Sequence, residues 1–438
     1  MSSQFIPPVA FLWALALVAR LAFGSWLAPG ALAALAWAIF VTVSAAIPDY
    51  QWMPTGGLWW IGISILVFCI GCWLALLVIR RPKAGNAPPP KEAFQALEPV
   101  LWVLMALAVL FQVLLFFVLP PETSDRSLPF RLLHGAPYAS ALIGGCLFAC
   151  AVSLRQRAGA LLPIFIGLAF SALGSGRSIS AITTVYWLLG YVYIQVLVGQ
   201  RGLGIPWARM VAVLVLAVLT ILGASLATRQ RYARAEYPYA QSRVDILTTV
   251  WREEGLGGIL AKSWLHISTQ ARSGAFTFTV WFHEAWAEPP SLALGRYLFG
   301  GTVRLLRGRW GTYTDLPARY ENIEVAPGVF TNTGTHFKPL VLDFGFAGSL
   351  AYMFFLGLVA GWAYRQVERG SAVGLAVVVA VAVYFLLSLS PFSYNSLTQA
   401  YLILAGALWW AKRRWERIGS RVQRPEVAPA SALVSPHV

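Results

Sequence analysis

Charged side chains are scarce in this chain. Asp, Glu, Lys and Arg make up 12% of its 438 residues, whereas hydrophobic residues make up 58% and the mean hydropathy is +0.66. A soluble globular domain carries about 25% charged residues. The chain also contains several apolar runs long enough to cross a membrane, which takes roughly 20 residues. The composition therefore excludes an ordinary soluble domain and predicts an all-α integral membrane protein.

Cysteine and histidine, the residues that form disulfides or commonly bind transition metals, are few. The sequence has four cysteines and five histidines. The cysteines lie within apolar runs, and the closest pair, Cys69 and Cys72, has no acid or histidine beside it. We therefore predict buried, small apolar side chains rather than a metal or redox site. The sequence has no glycine-rich phosphate loop, so we expect no cofactor and no nucleic-acid partner.

The apolar runs predict a helical bundle of about 11 membrane spans, with 10 to 12 as the range. Lys and Arg collect in alternate short connections and in the C-terminal tail, which identifies that face as cytoplasmic. The opposite face receives one long polar segment between the eighth and ninth spans. The predicted spans are 6–27, 31–47, 57–79, 99–119, 138–153, 159–173, 179–198, 210–227, 344–364, 371–389 and 396–411.

These spans divide the chain into six parts. We predict N-terminal spans in 1–80, a cytoplasmic linker in 81–98, central spans in 99–227, a long periplasmic loop with interfacial helices in 228–338, C-terminal spans in 339–411 and a basic cytoplasmic tail in 412–438. Loops longer than about 15 residues without secondary structure are uncommon and often functional. The working part of the protein is therefore predicted on the outer face.

The long outer segment is rich in arginine. A guanidinium group forms bidentate hydrogen bonds to phosphate oxygens, which favours an anionic substrate. The alternative is that long translocated segments escape the rule that places basic residues in the cytoplasm. The candidate substrate-binding residues in this segment are Arg229, Arg231 and Arg272.

A glycine-rich turn, GSGRS at 174–178, connects two apolar spans on the outer face. It places Arg177 beside the backbone N–H groups that begin the next helix, and the two together form an anion site. The alternative is a simple turn whose arginine extends along the helix to the membrane surface. Arg177 is therefore a further candidate substrate-binding residue.

The exit of the long segment carries two candidate catalytic residues. His336 offers an imidazole that titrates near neutral pH, although a lone histidine is often only structural. Asp343 is predicted to open an apolar helix, where an unpaired carboxylate costs about 2.5–3.5 kcal/mol. The alternative for Asp343 is a helix N-cap.

These patches resemble the bacterial O-antigen polymerase (Wzy) family of oligosaccharide repeat-unit polymerases. The likeness rests on GSGRS at 174–178, GVFTN at 328–332 and KPLVLDFGFAG at 338–348, and on the long outer loop. Arg177 and Asp343 match the family's patterns, whereas the role of His336 comes from its chemistry alone. The resemblance implies an inverting, metal-independent glycosyltransferase with a GT-C-like helical fold in the bacterial inner membrane.

The resemblance also implies the substrate. A hydroxyl of one undecaprenyl-pyrophosphate-linked glycan would attack the anomeric carbon of the growing chain, and the lipid pyrophosphate would leave. Membrane lipid and a chain-length regulator protein are the other implied partners, and lipopolysaccharide is the implied product. An O-antigen ligase would share the fold and donor but transfer to the lipid core. A polysaccharide transporter would concentrate ionisable residues at mid-membrane, whereas here they collect in one outer segment.

Overall fold

The architecture was obtained from a computed structural model of the chain. The part of the chain that it describes is almost entirely helical, with one small two-stranded sheet. The structure describes residues 3–45, 54–79, 98–113, 135–170, 177–197, 243–287, 292–299, 323–326, 329–331, 335–369, 371–387 and 413.

The first three helices pack on one another near the N-terminus. They are α1 (Ile6–Phe23), α2 (Pro29–Ala45) and α3 (Gly56–Val78), and a short 3₁₀ turn, Ser3–Phe5, precedes α1. Helix α1 ends where the backbone N–H of Gly24 bonds to the carbonyl of Arg20 at 3.0 Å. Because these helices are apolar on nearly all sides, they suit a lipid environment.

A second group contains four helices, of which α5 packs against each of the other three. They are α4 (Glu98–Val113), α5 (Ala136–Cys150), α6 (Leu154–Phe170) and α7 (Arg177–Leu197). Helix α6 begins with a capping box, because the Gln156 carboxamide accepts the N–H of Ser153 while the Ser153 hydroxyl accepts the N–H of Gln156.

The long polar segment contains a 45-residue helix, α8 (Arg243–Ala287), which is broken at Gly255. Its C-terminal part packs against α2 and α3, with Ala275, Phe278, Phe282 and Ala285 buried. Two short antiparallel strands follow, β1 (Ile323–Ala326) and β2 (Val329–Thr331). The segment predicted as a long loop with interfacial helices therefore includes one long helix that packs against the bundle.

Helix α9 (Phe337–Glu368) is also broken, at Gly345, and is followed by α10 (Ala372–Leu386). Its second part, 346–368, is about 34 Å long at 1.5 Å per residue and packs along α3. Gly71 of α3 allows this close approach, since a Cβ there would overlap the backbone of Phe354. At the far end, Arg365 donates to Glu368 at 2.6 Å and to the carbonyl of Leu76 at 3.2 Å.

The helical membrane class predicted from composition agrees with these elements. Three described helices are long and apolar enough to span a membrane, at Ser3–Phe23, Gly56–Val78 and Phe337–Glu368. Four more apolar helices are shorter, at Pro29–Ala45, Glu98–Leu110, Ala136–Cys150 and Val373–Leu386. The predicted spans 210–227 and 396–411 lie outside the described residues.

Candidate functional site

His336 lies inside the bundle, although its position in the sequence predicted an outer loop. It immediately precedes α9, and its ring is only 1% exposed. The ring packs on Tyr384 of α10 at 4.0 Å between centroids and on Phe337 at 4.1 Å. Trp37 of α2 and Phe385 of α10 present their edges at 5.5 and 5.7 Å. His336 is therefore enclosed by aromatic rings from three helices.

Several polar atoms around His336 are buried without a hydrogen-bond partner in the described part of the chain. They are both ring nitrogens of His336, the hydroxyl of Thr335 and the indole nitrogen of Trp37. A buried polar group left unbonded costs about 1–3 kcal/mol. Such groups in native proteins are normally satisfied by water or a ligand. The hydrogen-bonding capacity of this aromatic enclosure is therefore not used by the described residues.

The surroundings of His336 also fix its protonation state. Burial lowers the pKa of the imidazole well below its ordinary value, because the charged form loses its hydration. The neutral ring has one nitrogen that donates and one that accepts a hydrogen bond. Burial therefore favours the neutral form of His336, in which one ring nitrogen can accept a hydrogen bond.

Asp343 is completely buried, yet its carboxylate bonds to a distant part of the chain. One oxygen accepts the N–H of Tyr297 at 3.0 Å, and the other accepts the N–H of Leu298 at 2.7 Å. Neither donor belongs to α9, which begins six residues before Asp343 at Phe337. These two bonds cap a turn in another segment. They are not the bonds of an N-cap, because an N-cap side chain accepts N–H groups of the helix that it begins.

That turn spans 292–299 and also bonds to α9 through its main chain. The N–H groups of Ala293 and Leu294 donate to the carbonyls of Leu342 and Asp343 at 2.8 and 3.0 Å. The carbonyls of Leu342 and Asp343 lie just before the break at Gly345, where φ is +68° and ψ is −177°. Since only glycine readily adopts this conformation, Gly345 fixes where α9 meets the turn.

His336 and Asp343 lie two helical turns apart. Their seven-residue separation corresponds to a rise of about 10 Å along α9. Neither ring nitrogen of His336 bonds to any described residue, so the carboxylate does not orient the imidazole. Between them, the ammonium group of Lys338 lies 5.4 Å from the centre of the Trp281 ring, within cation–π range. The structure thus assigns separate surroundings to the two predicted catalytic residues.

For the four predicted substrate-binding arginines, the structure gives only the helix positions of two. Arg177 is the first residue of α7 and Arg272 lies in α8, but the side chains of both are outside the described part of the structure. Arg229 and Arg231 also lie outside the described residues. The roles of all four in binding substrate stay predictions.

Sequence reasoning missed the aromatic enclosure and the partner of Asp343. The burial of α8 had a signal, since Ala275, Phe278, Phe282 and Ala285 recur at spacings of three and four residues, as on one helix face. Trp37 gave no such signal, because its run is apolar throughout. Among the described residues, no three His, Cys, Asp or Glu side chains group together as metal ligands. No family model, curated protein or solved structure matches this chain.

Proposed function

We propose that this protein is a polymerase that joins undecaprenyl-pyrophosphate-linked oligosaccharide repeat units into O antigen or a related surface polysaccharide. The reaction would take place at the periplasmic face of the bacterial inner membrane. The observation that carries the proposal is His336, a buried imidazole with both nitrogens unbonded within the described residues. The resemblance of 174–178 and 328–348 to the Wzy family supplies the reaction class.

His336 acts in this proposal as the general base. Its neutral nitrogen accepts the proton of a sugar hydroxyl on the incoming repeat unit, and that oxygen attacks the anomeric carbon of the growing glycan. The bond from that carbon to the pyrophosphate oxygen breaks, and undecaprenyl pyrophosphate leaves with the electron pair. Attack from the face opposite the leaving group inverts the anomeric centre. A base contributes typically 10²–10⁴-fold to such a step.

The surroundings of His336 suit a sugar. A sugar hydroxyl both donates and accepts hydrogen bonds, and so complements a neutral imidazole and the Thr335 hydroxyl. In this proposal the rings of Trp37 and Tyr384, whose centroids lie 5.5 and 4.0 Å from that of the imidazole, contact sugar C–H groups once the enclosure has opened. Because the ring is enclosed, the acceptor reaches it only when the covering side chains move. Side chains that cover a reacting group in this way exclude water from it.

The leaving pyrophosphate needs cationic partners rather than a base. Arg177, Arg229, Arg231 and Arg272 remain the candidates for this role, because guanidinium forks stabilise phosphate charge without a metal. Asp343 takes no part in proton transfer in this proposal. The fold would be GT-C-like, and the polymer length would depend on a separate regulator protein.

Complementation of a deletion strain tests this function. The lipopolysaccharide of the deletion strain should carry a single repeat unit on the lipid core, and the wild-type chain should restore the full ladder. The His336→Ala variant should restore no ladder, while the exposed His283→Ala variant should restore it. A deletion strain with no glycan on the core would indicate an O-antigen ligase. A normal ladder in the deletion strain would exclude both enzymes.

A further inference from the structure

The indole N–H of Trp37 is a buried hydrogen-bond donor that the described residues do not use. Trp37 lies in α2, is 1% exposed, and its indole nitrogen has no hydrogen-bond partner among them. Two other tryptophans do have partners. The indole N–H of Trp13 donates to the Thr42 hydroxyl at 2.9 Å, and that of Trp187 donates to the Ala160 carbonyl at 2.8 Å. A buried tryptophan N–H usually finds such a partner, so the donor of Trp37 calls for an explanation.

This unused donor belongs to a ring that packs on the proposed catalytic base. The Trp37 indole lies 5.5 Å from the His336 imidazole and 5.0 Å from the Phe337 ring, centroid to centroid. Thr335, which precedes His336 in the chain, carries a buried hydroxyl that is likewise unpaired in the described part of the structure. Unused hydrogen-bonding atoms of three side chains therefore gather at the start of α9, and a substrate at His336 would also meet the indole of Trp37.

The chemistry of the indole restricts what it can recognise. An indole N–H donates a hydrogen bond and accepts none. In the proposed reaction the attacking oxygen uses a lone pair to form the new glycosidic bond, so a donor bonded to that oxygen would lower its nucleophilicity. The N–H of Trp37 therefore suits a second oxygen of the same sugar, one that keeps its lone pairs throughout the reaction. The carbons beside the attacking hydroxyl carry such oxygens, either as a hydroxyl or as the carbonyl of an acetamido group.

We propose that Trp37 determines which acceptor sugar reacts, because its indole N–H donates to the oxygen substituent beside the attacking hydroxyl once the aromatic enclosure has opened. This inference rests on the proposed function, since it places the acceptor at His336. The preferred acceptor has an oxygen substituent next to the attacking hydroxyl. An acceptor that is deoxy at that carbon leaves the N–H unpaired and is disfavoured, as at other sites built to bond a substrate hydroxyl. Trp37 takes no part in proton transfer.

Competition between two acceptors tests this role of Trp37. The full chain in vesicles receives the natural undecaprenyl-pyrophosphate-linked repeat unit together with a synthetic analogue that lacks the oxygen substituent on one carbon beside the linkage position, each such carbon in turn. Mass spectrometry of the first dimer shows which unit served as the acceptor. The unmutated chain should prefer the natural unit over one of the analogues by about 5- to 100-fold, the range for one lost hydrogen bond to a buried donor. The Trp37→Phe variant keeps an aromatic ring without the N–H and should lose this preference.

Trp60→Phe is the matched control. The indole nitrogen of Trp60 is also buried and unpaired within the described residues, but its ring packs on Phe282, Trp286 and Phe346 rather than on His336. This variant should therefore keep the preference of the unmutated chain. The preference compares two substrates on one protein, so it does not depend on how much of each variant folds.

A second replacement at position 37 guards against a change in packing. 3-Benzothienylalanine keeps the two fused rings of Trp37 and exchanges the N–H for sulfur, and it should abolish the preference as Phe does. Dimer formation with an unchanged preference in both Trp37 variants would overturn the specificity role and leave the polymerase function intact. The N–H would then face a neighbouring aromatic ring, as some buried N–H groups do. The absence of any dimer with the unmutated chain would overturn the polymerase function and this inference with it.

Discussion

The carboxylate of Asp343 accepts the backbone N–H of Leu298 at 2.7 Å, across 45 residues of chain. The bond joins a turn that follows α8 to the first part of α9. It satisfies a buried carboxylate without substrate, which separates Asp343 from the reacting groups. His336, two helical turns earlier, has no such partner among the described residues. The two residues singled out by the sequence therefore have different roles, one in holding the structure and one in the proposed chemistry.

Replacing Asp343 by Asn should weaken the protein. Both carboxylate oxygens accept an N–H, and an Asn amide would place an NH₂ group against one of these donors. Losing one charged hydrogen bond costs about 1.5–3 kcal/mol of unfolding free energy. We expect a lower thermal midpoint for Asp343→Asn in detergent, measured by loss of the monodisperse peak. Glu284→Gln removes an exposed carboxylate and should not change the midpoint. Equal midpoints for both variants would show that the Asp343 bonds contribute little.

Gly345→Ala should also destabilise the protein, because the backbone at the break has φ +68° and ψ −177°. Such a conformation costs about 1–3 kcal/mol for a residue with a Cβ. The matched control is Gly257→Ala in α8, where a Cβ would meet no atom within 4 Å and φ is not positive. That change should leave stability unchanged or raise it by up to about 1 kcal/mol. The thermal midpoint of Gly345→Ala should therefore fall, whereas that of Gly257→Ala should not. A Gly345→Ala midpoint equal to that of the control would mean that the break is not a fixed feature.

His336→Phe should separate folding from function. Phe retains an aromatic ring among Trp37, Phe337 and Tyr384 and gives up no hydrogen bond made within the described residues. We expect a thermal midpoint at or above that of the unmutated chain, together with a polymer yield lower by about 10²–10⁴-fold. The exposed His283→Ala variant should change neither property. A stable His336→Phe protein with a normal ladder would leave His336 as a packing residue.

Thiol labelling should give the predicted orientation. A membrane-impermeant maleimide added to spheroplasts should label the Glu253→Cys variant, because α8 belongs to the segment predicted to be periplasmic. The Arg369→Cys variant, at the end of α9, should be labelled only after the cells are opened. The Phe355→Cys variant should stay unlabelled in both samples because it faces lipid. Labelling of Glu253→Cys and Arg369→Cys from the same side would disprove the predicted topology.

Uniformly apolar helices were the easiest part of the fold to predict. The span predicted at 57–79 agrees with Gly56–Val78, and the one at 31–47 with Pro29–Ala45, because apolar length alone defines such helices. Helix α8 was harder, since its charged first part and its buried Phe278 and Phe282 average to a polar composition. The prediction placed interfacial helices in this segment but did not foresee that one of them is 45 residues long and packs against α2 and α3.

The partner of Asp343 could not be read from the sequence. The donors at Tyr297 and Leu298 are backbone groups, which carry no sequence signature, and they lie 46 and 45 residues away. The prediction that Asp343 opens a helix was wrong, because α9 begins at Phe337, six residues earlier, and only the long part of the helix begins at the break at Gly345. The eight helical residues before that break were missed, since a Gly-centred break between two helices resembles an ordinary helix start.

Polymerisation by the purified protein tests the central claim most directly. The full chain, reconstituted in vesicles with synthetic undecaprenyl-pyrophosphate-linked repeat units and no added metal, should convert them into a ladder of lipid-linked glycans and release undecaprenyl pyrophosphate. The His336→Phe protein, folded to the same thermal midpoint, should release none above the empty-vesicle background, while His283→Ala should match the unmutated chain. Release of undecaprenyl pyrophosphate by His336→Phe at the unmutated rate, or the absence of any ladder with the unmutated chain, would contradict the account.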